Sequence, residues 1–120
     1  MADKLPAPEE FLPLPQATFH ILMALAEEPR HGYAIIQEVA ASTAGRLVLS
    51  AGTLYRSVQR MLEQGLLLET RARPAPELDD ARRRYYEITP LGEAVARAEA
   101  RRLAHLVKLA RASGFAPRRV

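Results

Sequence analysis

The stretch Ser50-Ala51-Gly52-Thr53-Leu54-Tyr55-Arg56-Ser57-Val58-Gln59-Arg60-Met61-Leu62-Glu63-Gln64-Gly65 reads as a short capped helix with one apolar and one basic face. Ser50 supplies an N-cap oxygen for the first free amides, and Gly65 stands where a left-handed C-terminal cap costs least. At about 100° per residue, Leu54, Val58, Met61 and Leu62 fall on one side and Thr53, Arg56, Ser57 and Arg60 on the other. The first side must be buried, so the second faces out with two guanidinium groups. Arginine offers a planar fork of donors suited to phosphates and to guanine edges in a major groove. Such a stripe is either a solvated face or a surface that reads DNA, and the flanks decide between them.

Upstream, Pro15 suits the first turn of a helix over Gln16 to Glu28 that Pro29 terminates. Its apolar residues Phe19, Ile21, Leu22, Met23 and Leu25 cover more than one face, which suits packing on the chain's own core and on another subunit. His31-Gly32-Tyr33 starts a second helix to about Thr43, with Ile35, Ile36 and Val39 at core spacing and Gly45 ending it. Leu47-Val48-Leu49 is short enough for a strand or a buried connector. Downstream, residues 66–73 and 82–89 read as two strands of a hairpin joined by a polar turn over residues 74–81. Thr89 and Pro90 then supply an N-cap and a first-turn proline, with Glu93 suiting the positive end of the helix dipole.

That last helix runs to about Ser113, stopped by Gly114, and carries the stripe Leu91, Val95, Ala98, Leu103, Leu106, Val107 and Ala110. At about 1.5 Å per residue its roughly 24 residues extend about 36 Å, farther than the small domain it leaves. Much of the stripe is therefore expected to meet a second subunit, together with Phe19 and Met23. Residues 1–14, with Pro6, Pro8 and Pro13, read as an extended or mobile arm. The expected class is mainly α with a small β-hairpin wing: a winged helix-turn-helix over residues 15–89, a dimerisation helix over 90–113 and a basic tail over 114–120.

Composition fits one domain of 120 residues, small enough that oligomerisation would help its stability. No apolar run approaches the roughly 20 residues that span a bilayer. Met1 to Pro6 lacks a signal-peptide layout, so a cytoplasmic location is expected. The absence of cysteine excludes disulfides, thiolate metal sites and cysteine nucleophiles. His20, His31 and His105 lack metal-ligand spacing, and no nucleophile elbow or glycine-rich phosphate loop occurs, so neither a metal, a cofactor nor an enzyme activity is expected. The net charge of +3 is modest, yet between Gly45 and Arg73 five arginines (46, 56, 60, 71, 73) face only Glu63 and Glu69. Positive charge concentrated there is a footprint for nucleic acid.

Four motifs in order carry a family resemblance: Pro29-Arg30-His31-Gly32-Tyr33-Ala34-Ile35, Leu49-Ser50-Ala51-Gly52-Thr53-Leu54-Tyr55-Arg56, Glu63-Gln64-Gly65-Leu66, and Arg83-Arg84-Tyr85-Tyr86-Glu87-Ile88-Thr89-Pro90-Leu91-Gly92. Over about residues 16–112 the chain resembles PadR-type transcriptional regulators of the short subgroup with a single C-terminal helix. The resemblance implies a homodimer that binds double-stranded DNA, usually as a repressor, with a ligand or protein signal releasing the operator. A small-molecule effector would lie between subunits, where Phe19, Met23 and the last helix either line a pocket or simply make the interface. The family's wing often carries a glycine before its basic residues. Here the turn instead holds Glu77, Asp79 and Asp80, which would repel phosphates at a wing tip.

Thr53, Arg56 and Arg60 are the candidates for major-groove contact. Ser50 and the amides of Gly52 and Thr53 are placed to hold a phosphate at the helix N-terminus. Arg60 has a competing partner in Glu63, three residues on. Tyr55 sits at the edge of the apolar face, where its ring is expected to pack rather than to read DNA, with its hydroxyl in reach of a phosphate. The resemblance implies a phosphate contact for Tyr33, against a role as a core-edge tyrosine. Arg82, Arg83 and Arg84 belong to the wing, where strand alternation sends Arg83 to the opposite face from the other two and puts one of Tyr85 and Tyr86 in the core. A reading from another class is a winged-helix protein-interaction adaptor that reads no DNA sequence.

Overall fold

Among the described residues, side chains cap three of the four α-helices. In the computed structural model, which describes residues 6–73 and 82–115, His31 Nδ1 accepts from the Ala34 amide, Ser50 Oγ from the Thr53 amide and Thr89 Oγ1 from the Gly92 amide. These caps start α2 (Gly32–Ser42), α3 (Ala51–Glu63) and α4 (Pro90–Ala112). Each satisfies one of the amides that a helix start leaves unpaired. The first helix, α1 (Gln16–Ala24), follows Pro15 without a side-chain cap. Thr89 does a second task, since its hydroxyl donates to the Gly65 carbonyl at 2.6 Å and so ties the exit of α3 to the start of α4.

The first helix stops four residues short of the expected Glu28. The reason is a strand invisible to periodicity: Arg30 and His31 form β1, which pairs antiparallel with β3 (Tyr85–Ile88). The chain must straighten before it gets there, and Pro29, which lacks an amide hydrogen, disfavours helical backbone at Glu28. With β2 (Leu67–Thr70) on its other side, β3 is the centre of a three-stranded sheet of order β1-β3-β2, not half of a two-stranded hairpin. Leu67 pairs with Ile88 and Thr70 with Tyr85. Both long strands are shorter than the expected 66–73 and 82–89. The acidic turn residues Glu77, Asp79 and Asp80 lie outside the described residues.

The core gathers Ile21, Leu22 and Leu25 from the α1 region, Ile35 and Val39 from α2, Leu54, Val58 and Met61 from α3, and Val95 from α4, all essentially without solvent contact. Burying each such side chain is worth about 1.5–3 kcal/mol, which makes this cluster the main source of cohesion. The stretch Leu47-Val48-Leu49 forms no strand; Leu49 is buried and Val48 exposed, so it is a connector pinned by one residue. Tyr85 and Tyr86 point to opposite faces of the sheet, yet both are buried. Tyr86 joins the core, while the His31 and Arg73 side chains cover Tyr85.

Residues 6–14 differ most from expectation. They are not an extended arm: Pro8–Phe11 forms a 3₁₀ turn laid against α4, and Phe11, Leu12 and Leu14 are half-buried on the core. Glu99 secures this segment from inside α4. It is 2 % exposed, its carboxylate accepts from the Leu14 amide at 2.9 Å, and Arg102 donates to it through both Nε and Nη2. The Arg102 hydrogen bonds, helped by the Leu14 amide and opposed by burial, hold the Glu99 carboxyl below its ordinary value. A depressed folded-state value means that the stabilisation is complete above the ordinary carboxylate range and is lost as pH falls through the folded-state value. Glu99→Ala is expected to cost about 1.5–3 kcal/mol at pH 7 in a thermal or urea melt, and much less at a pH below the folded-state value, where wild type has lost the same interaction. Equal losses at both pH values would show that the carboxylate charge is not what fastens the segment.

Candidate nucleic-acid interface

The two faces of α3 separate cleanly. Leu54, Val58 and Met61 are buried, Arg56 and Arg60 are exposed, and Thr53 and Ser57 are half-buried at the margin. At the N-terminus Ser50 Oγ accepts from the Thr53 amide and donates to Thr53 Oγ1 at 3.0 Å. Both Ser50 and Thr53 are thereby oriented, and the Thr53 hydroxyl keeps its own proton to donate outward. The Arg56 guanidinium folds back toward the helix start. A Cβ at Gly52 would stand 3.2 Å from Arg56 Nη1, so the bare glycine lets this side chain lie over the first turn, the direction in which helical side chains lean. Gly52, Tyr55, Arg56, Gln59, Arg60 and Glu63 line an open groove of about 650 Å³ along this face.

Arg60 makes no ion pair with Glu63 among the described residues; Gln59 takes up Glu63 instead, at 3.4 Å. Arg60 also borders a second groove of about 460 Å³, together with Glu10, Phe11 and Thr18, so it sits toward the N-terminal segment and Arg56 toward the helix start.

Tyr55 is not packed at the core edge. It is 52 % exposed and reaches across to the start of α2, where a Cβ on Gly32 would come within 2.5 Å of its hydroxyl oxygen. A methyl at Gly32 would therefore displace the Tyr55 phenol and press on Leu54 Cδ2 at 3.0 Å. Tyr33, the next residue, is 62 % exposed, which removes it from the core. Tyr33 and Tyr55 line a third groove, of about 340 Å³, with His31, Arg82, Arg83, Arg84 and Tyr86. The fold thus brings the wing arginines beside both outward tyrosines. All three arginines are exposed, because residues 82–84 precede β3 and strand alternation does not apply to them. Burial, reinforced by Glu69 and Tyr55, raises the Tyr86 phenol above its ordinary value, so it is a neutral donor at physiological pH.

His31 and Tyr85 stand in the quoted motifs and Arg73 in the basic stretch, but nothing in the sequence shows that the three meet. Arg73 lies over the Tyr85 ring at 4.5 Å and donates to the Arg83 carbonyl, and His31 meets the same ring edge-on. The pairing of β3 with β1 on one side and β2 on the other brings them together.

The apolar stripe of α4 divides in two. Val95 and Ala98 are buried in their own chain and Leu91 is half-buried on its core, so these three need no partner to cover them. Beyond Glu99 the helix leaves the core: Leu103, Leu106, Val107 and Leu109 are exposed, as is Phe115, with Ala110 half-buried. On α1, Met23 is exposed and Phe19 half-buried. No cluster of His, Asp or Glu suited to a metal occurs among the described residues, and none of their helices is long and apolar enough to cross a membrane.

Comparisons with known proteins agree with this geometry. An uncharacterized protein of Lysinibacillus sphaericus is 38 % identical over 74 residues, 62 % of this chain and 65 % of that one, so the chain spans slightly less than two thirds of that relative. A transcriptional regulator of Clostridium thermocellum, Cth-833, superposes with a TM-score of 0.66 at 25 % identity, covering 78 % of this chain and 84 % of its own. A PadR family transcription regulator of Clostridium difficile R20291 shares the fold, with a TM-score of 0.67 at 20 % identity over 81 % of this chain and 96 % of its own. Residues 21–98 match the transcriptional regulator PadR-like family over the helices, sheet and cap positions described above, and the chain belongs to that family.

Proposed function

We propose that this DNA-binding regulator acts as a homodimeric repressor that reads an inverted-repeat operator. The observation that carries the reading is the exposed pair Arg56 and Arg60, with half-buried Thr53 beside them, on a helix whose opposite face buries Leu54, Val58 and Met61. Such a helix is held rigidly by its back while its donors project into a groove. In this reading Thr53, Arg56 and Arg60 contact base edges, and Ser50 with the amides of Gly52 and Thr53 receives a phosphate. Tyr33, Tyr55 and the wing residues Arg82, Arg83 and Arg84 follow the phosphate backbone. The apolar residues past Glu99, with Met23 and Phe19, meet a second copy. Among the described residues nothing covers the exposed apolar side chains of that half of α4, and contiguous exposed apolar surface of this kind marks an interface. Two-fold symmetry then spaces two copies of α3 about 34 Å apart, one turn of DNA.

Selection of bound duplexes from a random pool by the purified protein at physiological salt tests this reading. Enrichment of a two-fold symmetric motif is expected; enrichment of a single unsymmetric half-site would refute the dimeric operator, and no enrichment would refute sequence-specific binding. Leu106→Asp with Val107→Asp is expected to shift sedimentation to the monomer and weaken operator binding at least about tenfold, since each charge would be buried unpaired. A double variant that sediments like wild type would place the interface elsewhere.

A further inference from the structure

We propose that His31 is a positioning residue for DNA binding: it caps α2 with one ring nitrogen and braces the wing with the rest of its ring, and so fixes Arg83 relative to the recognition helix. The inference rests on the DNA-binding reading above and goes beyond it by naming what aims the wing. The Ala34 amide donates to His31 Nδ1 at 3.2 Å. That bond makes Nδ1 an acceptor, puts the proton of the neutral ring on Nε2 and locks the ring's orientation. So held, the ring stands edge-on to Tyr85, with centroids 5.3 Å apart and planes at 87°; its Nε2–H, a donor like the nearby Arg83 Nη1, makes no hydrogen bond to that guanidinium. From the other side Arg73 covers the same tyrosine at 4.5 Å, and its Nη2 donates to the Arg83 carbonyl at 2.9 Å. Arg83 is therefore located at its backbone by Arg73, and Arg73 and His31 both lean on Tyr85.

A helix cap alone does not call for histidine, because asparagine, serine and aspartate cap as well or better. Only a ring reaches Tyr85 from that position, and through Tyr85 it supports the Arg73 that holds the Arg83 carbonyl. The β1 strand, two residues long, is too short to hold the wing by backbone pairing alone. The ring contact therefore converts a marginal strand into a fixed joint. At its other end the joint is rigid, since α2 packs on α3 and Tyr55 closes over Gly32.

The test is His31→Asn, which keeps a capping oxygen and removes the ring. Affinity for the selected operator duplex is measured by fluorescence anisotropy over a range of salt, in wild type, His31→Asn, Arg83→Ala and the double variant. The expected result for His31→Asn is near-wild-type melting, roughly tenfold weaker binding at physiological salt, and a salt slope reduced by about 1, the signature of one lost phosphate contact. In the Arg83→Ala background the same substitution should change neither affinity nor slope further, because both act through one side chain. A wild-type slope in His31→Asn, or a loss that adds fully to that of Arg83→Ala, overturns the proposal. If His31→Asn fails to fold, Arg73→Ala is read in the same cycle with the same expectations and the same overturning results. Absence of duplex binding by wild type at any salt would instead overturn the DNA-binding reading itself, and this proposal with it.

Discussion

Arg56→Glu combined with Arg60→Glu is expected to abolish operator binding while leaving a folded protein of unchanged oligomeric state. Both side chains are exposed, and neither makes an ion pair among the described residues, so the fold loses little when they change. Substitutions at such positions stay within about 0.5 kcal/mol of wild type. The effect on binding is of another order. One arginine that reads a base contributes about 1–3 kcal/mol, and reversal of its charge adds repulsion from the phosphates to the lost contact. Two such changes should lower affinity by at least about a thousandfold at physiological salt, beyond detection in an anisotropy titration. Arg56→Ala alone should weaken binding by the smaller amount and relax preference at one base position in a repeated selection. A folded double-glutamate variant that still bound the operator would show that the outward face of α3 does not enter the groove, and would favour a surface for protein partners.

Local chemistry makes much of this fold legible in the sequence. Ser50 and Thr89 are caps because a hydroxyl before a helix meets the amides two or three residues on, and nothing distant can alter that geometry. The amphipathic division of α3 is local for the same reason, since 13 residues of helix fix which side chains share a face. The features that sequence does not reveal depend on contacts far along the chain. β1 has only two residues, too few for any period, and its partner β3 lies more than fifty residues later. The ordering of residues 6–14 depends on Glu99, whose burial in an otherwise polar stretch of α4 follows from the amide of Leu14 arriving 85 positions away in sequence. The α4 stripe looks uniform in sequence, yet the core ends near Glu99. That makes Val95 an inside residue and Leu106 an outside one. In the candidate interface the outward arginines are readable from periodicity, whereas the Tyr55 bridge to Gly32 is not, because it needs the crossing distance of two helices.

Gly92→Ala is expected to be strongly destabilising despite removing no interaction. In an open helix the substitution would stabilise by about 1 kcal/mol, since glycine is the poorer helix former. Here the added methyl has no room: it would stand 2.2 Å from the Leu66 carbonyl oxygen and 2.8 Å from Ile88 Cγ1. The carbonyl cannot swing away, because it accepts the Thr89 amide at 3.1 Å, and the Thr89 side chain is itself fastened to Gly65 at 2.6 Å and to the Gly92 amide at 3.0 Å. Relief therefore requires the first turn of α4 to lift off the loop that leaves α3, which breaks the Thr89 clamp and loosens Val95 in the core. Overpacking against side chains costs about 1–3 kcal/mol, and a backbone obstacle belongs at or above the upper end of that range. For a domain of this size the midpoint of thermal unfolding should fall by on the order of 10 °C or more. Gly45→Ala is the matched control, since Gly45 has positive φ but no atom within 4 Å of an added methyl, so only about 1–2 kcal/mol of backbone strain is expected there. A Gly92→Ala protein as stable as wild type would mean that α4 does not start against Leu66, and the helix that carries the proposed dimer contacts would then hang from a different joint.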